Sequence, residues 1–302
     1  MLNFKKNGSV MKVFEKIQDL QQYLKVFVDQ GFTIGYVPTM GALHQGHLSL
    51  IERSKNENTI TVCSIFVNPT QFDDPKDLIL YPRTLVEDRA MLERADCDVL
   101  FVPSVVEMYP EKVLNPDAKV PLQAELNKVE LGILGSTLEA AHRKGHFQGV
   151  MQVVLRLFEI VAPNRAYFGQ KDFQQLSIIK KMAKDLNLGI EIVACPILRE
   201  SDGLAMSSRN RRLSESDRLT ALALSQVLFE AKKKAGILGP KELKLWAENE
   251  LKGKNGIELE YFEIVDPLTM ATVTEFGGAE GALACVAARI GKVRLIDNIF
   301  LS

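Results

Sequence analysis

The sequence predicts an α/β protein in which a doubly wound parallel sheet is followed by a smaller α+β region. Three observations predict it. Near-continuous apolar runs over 33–37, 60–67, 99–103, 165–168 and 190–197 read as strands buried on both faces. Helical patterns lie between them, as right-handed βαβ units require. After Leu198 the order changes, with two helical patterns first and three strand-like runs last. The expected division is therefore a first domain over 1–197 and a smaller one over 198–302.

Taken in order, the first strand (33–37) runs into a glycine-bearing turn and a helical stretch over 48–54. A weaker helix covers 84–95. The stretch 104–141 has no firm periodicity and reads as an irregular, functional loop. The clearest helix is 149–162, where Val150, Val153, Val154, Leu157, Phe158 and Val161 fall on one face and Pro163 ends it. Another weaker helix covers 173–187. Ser214 with Asp217 gives a capping signal for a helix over 214–235, and Gly236 to Pro240 separates it from one over 240–252. Strands follow over 261–265, 282–289 and 293–298, with Gly291-Lys292 suited to a hairpin turn.

Composition narrows the function classes. The chain has 302 residues, 46% hydrophobic and 25% charged, with a net charge of −1. That balance gives no basic field for nucleic acid or an anionic membrane. No apolar run reaches the ~18 residues of a membrane span. Residues 1 to 12 have lysines but no apolar stretch, so they are no signal peptide, and residues 1–10 read as a loose tail. The four cysteines, Cys63, Cys97, Cys195 and Cys285, are far apart and read as buried thiols of a reducing compartment. A cytoplasmic protein is expected.

The chemistry is concentrated in a few turns. All four histidines (His44, His47, His142 and His146) lie in two short glycine-bearing segments. His44-Gln45-Gly46-His47 opens a helix, whose N-terminus offers N–H groups and partial positive charge to a phosphate. Two imidazoles three residues apart can donate to one anion, and Gly41 and Gly46 leave room against the backbone. The same pair also suits surface histidines or half of a zinc site. Asn68 and Gln71 follow the second strand, where open α/β sheets bind ligands. Their neutral amides fit a substrate with hydroxyls and a carboxylate, and an Asn-Pro turn without a ligand fits equally. Gly169-Gln170-Lys171-Asp172 supplies a cation for phosphate oxygens, with Asp172 able to cap the next helix and Gln175 one turn into it. Met206-Ser207-Ser208-Arg209 reads as an anion clamp or as a loop rich in caps. Arg143 to Gly149 adds basic groups before the strongest helix. These turns are expected to meet at one rim of the sheet.

With PTMGALHQGH, SIFVNPTQF, DLILYPRT, GHFQGV, YFGQKDFQQL and DGLAMSSRN in that order, the chain from about residue 33 onward resembles the pantoate–β-alanine ligase family of the His-x-Gly-His nucleotidyltransferases. The resemblance implies a Rossmann-like first domain and a lid-like second one. It also implies ATP-dependent amide formation between pantoate and β-alanine through pantoyl adenylate. On matching positions, Met40, Gly41, Ala42, Leu43, His44, Gln45, Gly46 and His47 hold ATP, with the proton-donor role on His47. Gly169, Gln170, Lys171 and Asp172 hold ribose and phosphate, Leu198 meets adenine, and Met206, Ser207, Ser208 and Arg209 clamp phosphate. Gln71 and Gln175 grip pantoate, and Gln71 also meets β-alanine. His44, His47, Lys171 and Arg209 form the implied catalytic set. Mg²⁺ arrives on the ATP phosphates with no direct protein ligand, and a homodimer through the N-terminal domain is implied. Lys144 stands in place of the family's usual proline, Gln170 in place of a frequent glutamate, and 115–141 is longer than usual.

A nucleotidyltransferase for phosphate esters, a zinc protein using His44 and His47, and a binding module without turnover are the alternatives. Neutral Gln71 and Gln175 argue against the first, the lack of a nearby ligand set against the second, and the intact motifs against the third.

Overall fold

A computed structural model describes residues 10–110, 123–278 and 281–301. They group into two compact units. The first draws on 1–129, 148–168 and 182–195, the second on 130–147, 169–181 and 196–302. This interleaved grouping differs from a single cut at 197/198 in giving 130–147 and 169–181 to the C-terminal unit.

The chain runs through β1 (Lys12–Phe14), α1 (Ile17–Val28), β2 (Ile34–Thr39), α2 (Gln45–Glu57), β3 (Ile60–Ile65), α3 (Leu85–Arg94) and β4 (Val99–Phe101). Then come α4 (His146–Val161), β5 (Arg165–Gly169), α5 (Phe173–Asp185) and β6 (Glu191–Cys195). The strands form one six-stranded sheet in the order β1-β4-β3-β2-β5-β6. Pairing is parallel from β1 to β4, β4 to β3, β3 to β2 and β2 to β5. All five expected strands are present. Val37, Leu43, Ile51, Cys63, Leu100 and Tyr167 share a core cluster in the first unit, which explains why their runs lack alternation. Strand β1 and helix α1 are not expected from the sequence. Strand β1 is three residues long and includes a lysine, too short for any periodicity to register. Helix α1 buries only Leu20 and Leu24.

The second unit holds α6 (Glu215–Lys234), α7 (Pro240–Lys252), β7 (Ile257–Val265), β8 (Leu283–Ile290) and β9 (Val293–Phe300). The strands form an antiparallel sheet in the order β7-β8-β9. Leu224, Leu228, Leu243, Phe262 and Val286 share its core. Ser214 caps α6, its hydroxyl accepting from Asp217 N at 3.1 Å. The turn between Ile290 and Val293 has φ +56° at Gly291, the positive first position of a type II′ hairpin. Short helical turns occupy Val105–Met108, Gln123–Leu126 and Leu138–His142 in the stretch expected to be irregular. Residues 111–122 of that stretch and 1–9 of the expected tail lie outside the described residues.

The four cysteines are buried and carry no disulfide. Among the described residues no helix is long and apolar enough to cross a membrane.

Candidate functional site

In the first unit the turn after β2 is built on backbone that few side chains tolerate. Gly41 and Ala42 both have positive φ, +78° and +49°. The side chain of Asp88, buried on α3, holds them there. Its Oδ2 accepts from Ala42 N at 2.9 Å and its Oδ1 from Leu43 N at 2.7 Å. Thr84 Oγ1 donates to the same carboxylate at 3.1 Å. The motif reading passed over Asp88, because a lone carboxylate in a helical pattern carries no signal of a partner 45 residues away.

Past this turn the two imidazoles cap α2 reciprocally. His44 Nδ1 accepts from Gly46 N at 3.2 Å, and His47 Nδ1 accepts from His44 N at 3.3 Å. Their ring centroids lie 4.1 Å apart. This is the logic of a capping box, with imidazoles in the places of serine and glutamate. With Nδ1 used as an acceptor, each neutral ring carries its proton on Nε2, which makes Nε2 a donor. Hence the N-terminal placement expected from sequence holds, and the histidines also have a structural task there.

The turn after β3 contains a buried amide network. Asn68 is fully buried and Gln71 nearly so. Asn68 Nδ2 donates to Gln71 Oε1 at 3.2 Å and to the Gly149 carbonyl at 3.1 Å. Asn68 Oδ1 accepts from the Tyr109 hydroxyl at 3.1 Å. The Gln71 oxygen is therefore committed, and its Nε2 donates at 3.1 Å to the Met40 sulfur, a weak acceptor. Helix α4 reaches this turn closely: a Cβ on Gly149 would stand 2.2 Å from the Thr70 carbonyl oxygen. Glycine there is required by that approach.

The second unit contains a cleft whose walls include Glu139, Arg143, His146, Lys171, Gln175 and Asn298. The adjacent glutamines have different tasks. Gln174 is buried, accepting from Glu139 N at 2.9 Å and donating to the Leu134 and Thr137 carbonyls at 2.8 and 2.9 Å. The side chains of Gln175 and Lys171 have no hydrogen-bond or ion-pair partner among the described residues. Asp172 is exposed and makes no cap; α5 is entered through a 3₁₀ turn at Gln170–Asp172 instead.

Beside Lys171 and Gln175 the cleft wall carries a charged network. Arg294 makes a bidentate pair with Glu139 at 2.6 and 2.8 Å and a further bond to Glu260 at 2.8 Å. The Tyr261 hydroxyl also donates to Glu139, at 2.7 Å. Burial alone would raise the Glu139 pKa, yet the Arg294 hydrogen bonds and charge outweigh it and bring the group down to about 2. Arg143 Nη1 lies 3.0 Å from His146 Nε2. Neither this network nor Asn298 carried any recognisable motif.

The 198–212 segment is also in the second unit. Met206 N donates to the Leu198 carbonyl at 3.0 Å, and Arg199 and Ala205 form an antiparallel bridge. Ser207 accepts from Arg209 N at 3.3 Å, so one of the two clamp hydroxyls does act as a cap. Asn210 Nδ2 donates to Glu200 and to the Ala205 carbonyl at 3.0 and 3.1 Å. Arg218 pairs with Glu200 and Asp202 at 2.7 and 2.6 Å.

Comparison with known proteins places this geometry in context. The family profile for pantoate-beta-alanine ligase matches residues 12–300. The pantothenate synthetase of Bacteroides fragilis is 49% identical over 289 residues, covering 96% of this chain and 98% of that protein. The Bacteroides thetaiotaomicron pantothenate synthetase is 48% identical with the same coverage. Among solved structures, the Thermus thermophilus pantothenate synthetase superimposes with a TM-score of 0.86 at 40% identity, over 96% of this chain and 99% of that one. A Francisella tularensis pantoate-beta-alanine ligase, solved with beta-gamma ATP and beta-alanine, gives 0.75 at 35% identity, over 96% and 98%.

Proposed function

Since the chain belongs to the pantoate–β-alanine ligase family, we propose that it condenses (R)-pantoate with β-alanine, using ATP and releasing AMP and pyrophosphate. In the first step a pantoate carboxylate oxygen attacks the α-phosphorus of ATP. The bond from that phosphorus to the bridging oxygen breaks, and pyrophosphate leaves. In the second step the β-alanine amine attacks the pantoyl carbonyl carbon. The carbon–oxygen bond to AMP breaks, AMP leaves with the bonding electron pair, and the proton lost by the amine passes to solvent.

The observation that carries this reading is the pair of neutral amides, Gln71 and Gln175. Asn68 holds the Gln71 oxygen, so Gln71 offers N–H to the acid, and the Met40 sulfur is an acceptor that a carboxylate or hydroxyl readily replaces. A substrate with a second phosphate in place of pantoate would call for cations at these positions. Nucleotidyl transfer needs positioning and charge neutralisation more than covalent help from the protein. His44, His47, Lys171, Ser207, Ser208 and Arg209 supply donors for the triphosphate, with Met40 to Gln45, Gly46, Gly169, Gln170, Asp172, Leu198 and Met206 around the nucleotide. His47 is the proton donor to the leaving group. Mg²⁺ enters on the phosphates as part of the substrate. On the same reading 1–197 binds nucleotide and pantoate, 198–302 serves as lid, and the working form is a cytoplasmic homodimer joined through the N-terminal domain.

The test is isotope exchange between pyrophosphate and ATP in the presence of Mg²⁺. Exchange must require pantoate and proceed without β-alanine, and pantothenate must form only after β-alanine is added. Exchange without pantoate, or none with it, overturns the proposal.

A further inference from the structure

Strand β9 contains Arg294-Leu295-Ile296-Asp297-Asn298, of which only Arg294 belongs to the charged network of the cleft wall. Asn298 is buried, at 4% exposure, and its side-chain nitrogen is fully committed. It donates to the Gln170 carbonyl at 3.0 Å and to the Lys171 carbonyl at 2.9 Å. Those two carbonyls belong to the peptide planes on either side of the Lys171 α-carbon. Two hydrogen bonds from one rigid amide therefore fix both planes, and with them the direction in which the Lys171 side chain leaves the backbone.

The backbone of Asn298 is itself held. Asn298 N donates to Asp297 Oδ1 at 2.7 Å, and the Asn298 carbonyl accepts from Arg199 Nη2 at 3.2 Å. Arg199 and Asp297 form a partly buried bidentate pair at 2.6 and 3.0 Å. Arg199 also stands at the base of the segment leading to Met206, through its bridge to Ala205. An aspartate in place of Asn298 would turn an oxygen toward two carbonyl oxygens.

We propose that Asn298 is a positioning residue for nucleotidyl transfer: it orients Lys171, and the Arg199–Asp297 pair ties that orientation to the base of the 199–206 segment. Asn298 acts chiefly through the lysine and contacts no reacting atom. The inference rests on the assignment of Lys171 to the ATP phosphates, and the experiment separates the two.

Pantoate-dependent pyrophosphate–ATP exchange is measured for wild type, Asn298→Ala, Lys171→Ala and the double variant, with thermal unfolding recorded for each. Misplacing a catalytic group by about 1 Å costs on the order of 10²-fold, so Asn298→Ala is expected to lower kcat by about 10- to 100-fold while leaving the KM for pantoate unchanged. In the Lys171→Ala background the same substitution is expected to have a much smaller effect, because its main route to the reaction is gone. Asn298→Asp is expected to be at least as slow as Asn298→Ala although it is isosteric. Full activity of Asn298→Ala, or an undiminished loss in the Lys171→Ala background, overturns the inference and leaves the phosphate role of Lys171 standing. An active Lys171→Ala enzyme overturns both. Should Asn298→Ala fail to fold, Asn298→Ser run through the same cycle decides by the same criteria.

Discussion

At the scale of single residues, the imidazoles of α2 have two tasks that substitution can separate. His47→Ala removes the acceptor for His44 N as well as the Nε2 donor. Loss of a cap costs typically ~1 kcal/mol, and loss of a preorganised donor about 10²–10³ in rate. His47→Asn keeps an acceptor near the backbone, so it is expected to recover stability in thermal unfolding while remaining slow in pyrophosphate exchange. For Gln71→Ala, steady-state kinetics are expected to show the KM for pantoate rising at least tenfold, as for a lost hydrogen bond of ~1.5 kcal/mol, with the KM for ATP unchanged. An equal rise in both would remove Gln71 from the acid site. How much of a residue's task is legible in sequence depends on where its partners lie. His44 and His47 explain each other across three positions, so their motif is visible. Asp88 serves Ala42 and Leu43, and Asn298 serves Gln170 and Lys171, across separations that only the fold brings together.

At the scale of elements, helix α4 is tied to the Thr70–Gln71 turn by the missing side chain at Gly149. A methyl placed 2.2 Å from the Thr70 carbonyl oxygen has to push backbone aside. Overpacking of this kind costs typically about 1–3 kcal/mol, and the displaced turn includes Gln71. Gly149→Ala is therefore expected to lower the unfolding midpoint and raise the KM for pantoate together, and a crystal structure of the variant should show the turn shifted away from α4. Strands β2, β3 and β5 were readable because burial on both faces writes long apolar runs. Strand β1 was unreadable because three residues with register only to β4 write nothing periodic. The expected cap at Asp172 failed for a related reason: a 3₁₀ turn already leads into α5.

At the scale of the molecule, the Glu139–Arg294–Glu260 network makes stability depend on pH in a definite direction. Glu139 in the folded protein has a pKa of about 2, against an ordinary 4.5. A carboxyl with a depressed folded value stabilises the fold fully above its ordinary pKa, and this contribution fades as pH falls from there toward the folded value. Urea unfolding is thus expected to show stability declining below about pH 4.5, with a shallower slope for Glu139→Gln. At neutral pH that variant is expected to lose about 3–5 kcal/mol, as when one partner of a buried pair is removed. The order of strand-like and helical runs announces a parallel sheet followed by a smaller α+β region, while the assignment of 130–147 and 169–181 to the C-terminal unit needs coordinates, since nothing local in those segments names their neighbours.

The cysteines offer a clock for the motions of each unit. Cys63, Cys97 and Cys195 belong to the first unit and Cys285 to the second. Burial pushes every one of these thiols toward the protonated form, Cys97 up to about 12, and a buried, protonated thiol ignores electrophiles. Maleimide added to the native protein therefore records only excursions that bring sulfur into water. Mass spectrometry of the trapped adducts would report whether the three-thiol and one-thiol units breathe at the same rate or each keeps its own time.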